Sequence, residues 1–102
     1  MSMQNDTSYA EELSSATIIV KGKVQGVYFR KFTLENAKKL ELAGFAQNLP
    51  DGRVKVFAEG KKSSILQLVD YLNIGPALAR VDDLDISWSS FSSEYLDFNI
   101  KR

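Results

Sequence analysis

The alternation of apolar and polar positions predicts a strand followed by a helix in the first half of the chain. Residues 16–23 are rich in β-branched side chains, and the apolar run at residues 18–20 is typical of a central strand buried on both faces. From residue 29 to residue 42, apolar side chains recur every three to four positions, which predicts a helix with one core-facing stripe. We therefore interpret Phe29 and Phe32 as core residues.

The middle of the chain has the pattern of a β-hairpin. Residues 44–49 and 53–59 are both predicted strands, and the Pro-Asp-Gly sequence between them is a strong hairpin signal. In the second of these strands, apolar and polar side chains alternate, as expected for a strand with one buried face. Asn48 is then expected at the end of the first hairpin strand, where a turn-capping role is the ordinary alternative to a functional one.

A second helix and two more strands are predicted in the last third. Ser63 or Ser64 can cap the helix, and the Gly-Pro pair at residues 75–76 ends it. Apolar alternation predicts a fourth strand around residues 84–88 and a short last one around residues 96–100. The βαββαβ order predicts an α+β fold, the ferredoxin-like two-layer sandwich, with an antiparallel sheet and both helices on one face. Many functions share this fold, so it does not specify the chemistry.

Length and charge bound the organisation of the chain and its partners. The 102 residues have room for one core. We predict a disordered tail at the polar, Ser-rich residues 1–15 and a single domain at residues 16–102. The 13 Lys and Arg residues balance the 13 Asp and Glu residues, so no overall field favours nucleic acid or an anionic membrane. We expect a monomer with no nucleic-acid partner and no membrane partner.

Cysteine and histidine are absent, and both absences restrict the chemistry. Without cysteine there is neither a disulfide nor a thiolate, which fits a cytoplasmic location. Without histidine, phosphohistidine chemistry, Ser-His-Asp triads and the usual zinc sites are excluded. Catalysis must then rely on arginine, lysine, asparagine, carboxylates, backbone dipoles and water. We interpret the carboxylates of Asp82, Asp83 and Asp85 as a solvated strand face rather than an acid pair.

The segment between the first strand and the first helix carries the strongest functional signal. Residues 22–30 read Gly-Lys-Val-Gln-Gly-Val-Tyr-Phe-Arg, and four basic residues crowd this stretch: Lys21, Lys23, Arg30 and Lys31. A strand, a glycine-bracketed loop and a helix start aim backbone N–H groups and the positive helix end at one point. Gly22 and Gly26 lack a Cβ, which allows a tight loop and close approach of a ligand. The pattern predicts a cradle for a phosphate-like oxyanion, with an ordinary βα turn as the alternative.

The spacing of this segment matches neither the P-loop nor the dinucleotide-binding fingerprint. It resembles instead the signature of the acylphosphatase family, Gly-x-Val-Gln-Gly-Val-x-Phe-Arg, and the resemblance runs from about residue 18 to residue 102. Glu41 departs from the glycine that is usual at its position, and Phe45, which fits the pattern, stands where tryptophan is commonest. The positions that match downstream are Thr33, Ala37, Leu40, Leu42, Gly44, Phe45, Asn48, Asp51, Gly52, Val54, Gly60, Gly75, Pro76, Val81, Phe98 and Ile100.

The resemblance implies metal-independent hydrolysis of acyl phosphates to a carboxylate and inorganic phosphate, with no cofactor and no metal site. It implies that Arg30 grips the phosphate oxygens and that Asn48 orients the attacking water. A phosphate or sulfate anion is expected in the loop, held by Arg30 and by the backbone N–H groups of Lys23, Val24, Gln25, Gly26, Val27 and Tyr28. Because a carboxylate leaves without being protonated, the missing histidine acid is not required.

Other readings of the same pattern are a non-catalytic phosphate- or acyl-phosphate-binding module and a regulatory ferredoxin-like module. A related domain opens the much longer hydrogenase-maturation carbamoyltransferases, whose zinc-finger cysteines this chain lacks. An RNA-binding domain of the same fold would need aromatic residues on both central strands, but the first strand has none and the third has only Phe57. The regulatory module gives no reason for Arg30 and Asn48 to occur together.

Overall fold

The computed structural model describes residues 12–102, which form five strands and two helices. In chain order they are β1 (Leu13–Lys23), α1 (Phe29–Lys39), β2 (Ala43–Asn48), β3 (Val54–Lys61), α2 (Lys62–Ile74), β4 (Arg80–Ser89) and β5 (Phe98–Lys101). None of the helices in the described residues is long and apolar enough to cross a membrane.

The strands form one sheet in the order β4-β1-β3-β2-β5, and the predicted ferredoxin-like α+β fold is confirmed. The prediction of a wholly antiparallel sheet was wrong for one pair, because β5 lies parallel to β2, with Gly44 opposite Phe98. The physical reason is the connection after β4. The chain leaves one edge of the sheet after β4, passes over the face opposite the helices through residues 90–97 and starts β5 on the opposite edge, so β5 runs in the direction of β1 and β2.

The core lies between the sheet and the two helices. Its fully buried side chains come from alternate positions of the strands and from one stripe of each helix, and they include Ile18, Val20, Val56, Leu68 and Phe29. β1 is central, as predicted, but it is not buried on both faces. Ile19 is only half-buried, since no helix packs on that face. Phe29 is a core residue as interpreted, while Phe32 is half-buried.

The ends of several elements differ from the sequence expectation. β1 begins at Leu13, inside the predicted tail, because Leu13 pairs with Lys61 of β3. Residues 1–11 of that tail lie outside the described residues, and the division at residue 16 stays a prediction. The predicted serine cap of α2 was wrong: the helix follows Lys61 without a side-chain cap, and the Lys62 N–H donates instead to the Glu12 carbonyl at 2.8 Å.

Helix α1 ends earlier than predicted, at Lys39, through a left-handed residue that is not glycine. Glu41 has φ 59°, and the Leu42 N–H donates to the Ala37 carbonyl at 2.9 Å, which closes the helix in a Schellman-type turn. A left-handed conformation costs a residue with a Cβ about 1–2 kcal/mol. The helix end is therefore strained at this one position.

We expect Glu41→Gly to raise the free energy of unfolding by about 0.5–1 kcal/mol, because glycine adopts this conformation without strain but loses more chain entropy on folding. Urea denaturation measures the change. The matched control is Glu35→Gly in the exposed interior of α1, which should lower stability by about 1 kcal/mol. A loss of stability in both variants would contradict the assigned strain.

On the face of the sheet opposite the helices, the segment 90–97 is held down by a buried carboxylate. Glu59 is 1% exposed and accepts hydrogen bonds from Ser15 Oγ at 2.7 Å and from Ser92 N and Oγ at 3.0 and 2.8 Å. Beside it, Phe45, Phe57 and Tyr95 pack together with ring centroids 5.5 to 5.9 Å apart. Burial raises the pKa of Glu59, but hydrogen bonds from Ser15 and Ser92 outweigh it and leave this pKa below its ordinary value.

This carboxylate should make stability depend on pH. A lowered folded-state pKa stabilises the fold above the ordinary value of 4.5, and the contribution is lost as the pH falls through the folded-state pKa. We expect Glu59→Gln to lower the free energy of unfolding by about 2 kcal/mol at pH 7, since charge-assisted hydrogen bonds are lost. Urea denaturation from pH 3 to pH 7 should show the difference between wild type and variant shrinking below about pH 4.5. If the stability difference between wild type and Glu59→Gln did not depend on pH, the role assigned to the Glu59 carboxylate would be contradicted.

Candidate active site

Three strands bring the candidate site together at one end of the sheet. β1, β2 and β5 run in the same direction, so the loop after β1, Asn48 at the end of β2 and Ile100 in β5 lie at the same edge. Helix α1 starts there too, at Phe29. Residues from three separate segments of the chain, 24–31, Asn48 and Ile100, can therefore line one pocket.

A pocket of about 360 Å³ opens at this edge. It contains both of the predicted catalytic side chains, Arg30 from the first turn of α1 and Asn48 from β2. The remaining lining residues are Val24, Gly26, Tyr28, Phe29, Lys31 and Ile100. The volume lies within the range of about 300–1,000 Å³ that is usual for small-molecule sites.

The two glycines of the loop have different roles in the structure. Gly22 has φ 134° beside a β-bulge, and a Cβ there would collide with the backbone of β4 at Arg80, so this glycine serves strand packing rather than a ligand. Gly26 has φ 74°, and a Cβ there would meet no atom within 4 Å. Only Gly26 therefore fits the expectation that the missing Cβ leaves the backbone open to a ligand.

Backbone N–H groups of the loop are free to bind an anion. Within residues 12–102, no acceptor is found for the N–H groups of Gln25, Gly26, Val27 and Tyr28. Helix α1 follows directly, has no acidic residue in its first turn and has no side-chain cap. The positive end of the helix is therefore not neutralised by the protein, which makes this edge a ready anion site.

Asn48 presents an unsatisfied acceptor at the same edge. Its Oδ1 is buried and has no hydrogen-bond partner among the described residues. A buried acceptor without a partner costs about 1–3 kcal/mol, so such groups are uncommon and often mark a ligand or water position. The position next to the anion site suits a donor such as a water molecule. The turn-capping alternative for Asn48 has no hydrogen bond to support it.

The Gln25 side chain does not face the pocket but the hairpin. Its Nε2 donates to the Leu49 carbonyl at 2.8 Å and to the Arg53 carbonyl at 2.9 Å. Two other predicted phosphate-binding residues also stay outside the pocket lining. The Lys23 side chain is exposed at the end of β1, and the Val27 side chain is buried in the core. Any contact of Gln25 or Val27 with an anion would therefore use the backbone.

Tyr28 holds a strained conformation at the mouth of the pocket. Its backbone is left-handed, with φ 63° and ψ 23°, and its side chain is 76% exposed. This conformation is uncommon for a bulky residue and costs of order 1–3 kcal/mol. The turn that results lets the chain enter α1 while Tyr28 and Arg30 both line the pocket. Strain of this kind is concentrated at functional sites.

The acidic residues of β4 form no competing site. Asp82 accepts two hydrogen bonds from Arg80, at 2.8 and 3.0 Å, and Asp82, Asp83 and Asp85 are all exposed. Within the described part of the chain, no group of three potential metal ligands lies together. The interpretation of these carboxylates as a solvated strand face is confirmed.

Comparison with known proteins identifies the family to which this site belongs. The sequence pattern of the family described as Acylphosphatase matches residues 16–100. An acylphosphatase of Methanococcoides burtonii is 53% identical over 92 residues, which cover 90% of this chain and 96% of that protein. The chain belongs to the acylphosphatase family. The protein is accordingly a hydrolase of acyl phosphates.

Solved structures support the same assignment. The crystal structure of acylphosphatase from Bacillus subtilis superimposes with a TM-score of 0.85 at 35% identity and covers 89% of this chain and 100% of that one. Full-length HypF, solved in its phosphate- and nucleotide-bound form, superimposes with a TM-score of 0.82 at 27% identity, over 89% of this chain and 12% of that one. The acylphosphatase fold predicted from the sequence is thus confirmed.

Sequence reasoning missed several features of this acylphosphatase site. Ile100 lines the pocket, Tyr28 is left-handed and the Gln25 side chain contacts the hairpin. Lys31, which the sequence placed in the basic cluster, also lines the pocket. The contact of Gln25 spans residues far apart in sequence, so no local pattern could have indicated it. The role of Ile100 depends on the parallel pairing of β5 with β2, which the predicted antiparallel sheet did not contain.

Proposed function

We propose that the protein cleaves acyl phosphates by holding the phosphoryl group between Arg30 and the loop amides while Asn48 directs the attacking water. The observation that carries this proposal is the joint lining of one pocket by Arg30 and Asn48, whose buried Oδ1 has no partner in the described part of the chain. A guanidinium can bind two phosphate oxygens at once, which suits it to this task better than a lysine. The free N–H groups of Gln25, Gly26 and Tyr28 would bind the remaining oxygens.

In the reaction we propose, the water oxygen forms a bond to phosphorus and the bond from phosphorus to the acyl oxygen breaks. The leaving group takes that electron pair as a carboxylate and needs no proton. The carboxamide of Asn48 accepts a hydrogen bond from the water and aligns it, but it is not basic enough to take the proton. That proton passes to an oxygen of the phosphoryl group, and inorganic phosphate is released.

Catalysis of this kind consists of positioning and charge stabilisation. Arg30 and the positive end of α1 would neutralise the charge on the phosphoryl oxygens, and we propose that no metal ion or cofactor takes part. Inorganic phosphate, the product, and sulfate are expected to bind in the same loop. The predicted roles of the backbone N–H groups of Lys23, Val24 and Val27 belong to this proposal.

We further propose that the protein acts as a monomer in the cytoplasm. A single copy of the chain brings Arg30 and Asn48 into the same pocket, which supports a monomer. The absence of cysteine fits a reducing compartment. Size-exclusion chromatography with light scattering tests the first statement, and a fluorescent fusion in the source cell tests the second.

The experiment that tests the proposed function is hydrolysis of benzoyl phosphate with a metal chelator present. We expect turnover that the chelator does not reduce and that inorganic phosphate inhibits competitively. A folded wild-type protein that binds phosphate but shows no turnover would favour the non-catalytic phosphate-binding module instead. Turnover abolished by the chelator and restored by a divalent cation would overturn the metal-independent mechanism.

A further inference from the structure

The side chain of Gln25 links two parts of the site that lie in separate segments of the chain. The anion cradle, residues 24–30, is one continuous segment, so the loop amides and Arg30 keep their mutual positions through covalent connection and through α1. Asn48 belongs to a different segment, the β2–β3 hairpin. The geometry of water attack depends on how these two segments are placed relative to each other.

The carboxamide of Gln25 joins the anion cradle to the hairpin through both of its N–H groups. They reach the carbonyls of Leu49, adjacent to Asn48, and of Arg53, directly before β3, at 2.8 and 2.9 Å. The same two carbonyls close the hairpin turn, since the Leu49 N–H donates to Arg53 and the Gly52 N–H donates to Leu49. One side chain therefore ties the anion loop to the two ends of the turn that follows Asn48.

We propose that Gln25 is a positioning residue that sets the distance and orientation of Asn48 relative to the bound phosphoryl group. This inference rests on the proposed function, because it assigns to Asn48 the alignment of the attacking water. The reacting atoms tolerate little error: a misplacement of about 1 Å can reduce the rate about 10²-fold. The Gln25 side chain acts here through Asn48 and does not itself touch the phosphate.

The proposal predicts that loss of the Gln25 side chain affects turnover but not phosphate binding. If Gln25 only aligns the hairpin, its loss leaves the cradle of loop amides and Arg30 intact. Phosphate should then bind as before, while the water is no longer held in line and kcat falls. A residue that contacted the anion would weaken phosphate binding, and a residue of purely structural importance would not lower kcat selectively.

The test is a double-mutant cycle with Gln25→Met and Asn48→Ala, measured with benzoyl phosphate as substrate and inorganic phosphate as inhibitor. Methionine has a similar shape but no donor. The variant is expected to fold, because the Leu49 and Arg53 carbonyls each keep a backbone donor. Gln25→Leu is a second variant without donors. We expect kcat to fall about 10- to 100-fold in either variant, with the phosphate inhibition constant within about twofold of wild type.

In the Asn48→Ala background, Gln25→Met should lower kcat by less than about threefold, because both changes remove the same alignment. The matched control is Asp51→Ala. It breaks the contacts of Asp51 with Arg53 N at 3.1 Å and Nε at 2.7 Å in the same turn but leaves the Gln25 contacts in place, so kcat should stay within about twofold of wild type.

Several outcomes would overturn the inference. Unchanged kcat in Gln25→Met, fully additive losses in the double variant, an equal loss in Asp51→Ala, or a phosphate inhibition constant that rises in parallel with the loss of kcat would each do so. Absence of turnover in the folded wild type would refute the proposed function instead. The two failures are therefore distinguishable, since the inference on Gln25 is judged only against an active wild type.

Discussion

Arg30→Ala is expected to lower kcat/KM for benzoyl phosphate by about 10²–10⁴-fold while the protein remains folded. Two charge-assisted hydrogen bonds from the guanidinium to the phosphoryl group, at about 1.5–3 kcal/mol each, give about 3–6 kcal/mol of transition-state stabilisation. At about 1.4 kcal/mol per factor of ten, this corresponds to the expected loss. Phosphate inhibition should weaken as well, because Arg30 is expected to bind the ground-state anion and the transition state.

The Arg30 experiment requires steady-state kinetics beside a circular dichroism measurement of folding. Arg30→Lys keeps the charge but not the planar fork and should fall between wild type and Arg30→Ala. Lys38→Ala is the matched control, an exposed cation in the last turn of the same helix and far from the pocket lining. If a folded Arg30→Ala protein stayed within about threefold of wild type, Arg30 would not be the residue that grips the phosphate.

Asn48→Ala is expected to reduce kcat by about 10²–10³-fold, the usual effect of removing one preorganised polar group from an active site. Unlike Arg30→Ala, it should leave inhibition by phosphate nearly unchanged. It should also leave stability unchanged or slightly higher, because the variant removes a buried Oδ1 that has no hydrogen-bond partner within residues 12–102. Activity and stability would then change in different directions, as is common for residues kept for function.

Steady-state kinetics of Asn48→Ala measures the change in kcat, and urea denaturation measures the change in stability. Asn99→Ala, at an exposed position of β5, is the control for loss of an asparagine side chain in a neighbouring strand. A clear loss of stability together with near wild-type kcat would show that Asn48 serves the hairpin turn rather than the reaction.

The parts of the fold that the sequence predicted are those set by local patterns. The alternating core residues of β3, the Asp-Gly turn and the stripe of α1 all depend on residues close together in the chain. The parallel pairing of β5 could not be read in the same way, because it depends on where the segment 90–97 crosses the sheet. The end of α1 was misplaced because Glu41 is left-handed without being a glycine.

For the site, the nine-residue signature and the family resemblance directed attention to Arg30 and Asn48, and the structure places both in one pocket. The spacing of the glycines in residues 22–30 did not by itself exclude an ordinary βα turn. What the sequence could not provide was the direction of individual side chains. Gln25 belongs to the signature, yet its carboxamide faces the hairpin, and Gly22 is explained by its contact with β4.

The order of the strands also has a consequence for how the enzyme forms. Apart from the β2–β3 hairpin, each strand pair joins segments that are remote in sequence: Ala16 lies opposite Trp88, and Gly44 lies opposite Phe98. Such pairings form only after long loops have closed, and the loss of chain entropy comes before the stabilising contacts. We therefore expect folding to be slow compared with that of a helical bundle. Because Ile100 of β5 lines the pocket, recovery of turnover after dilution from denaturant reports when the pocket, including its contribution from β5, has formed.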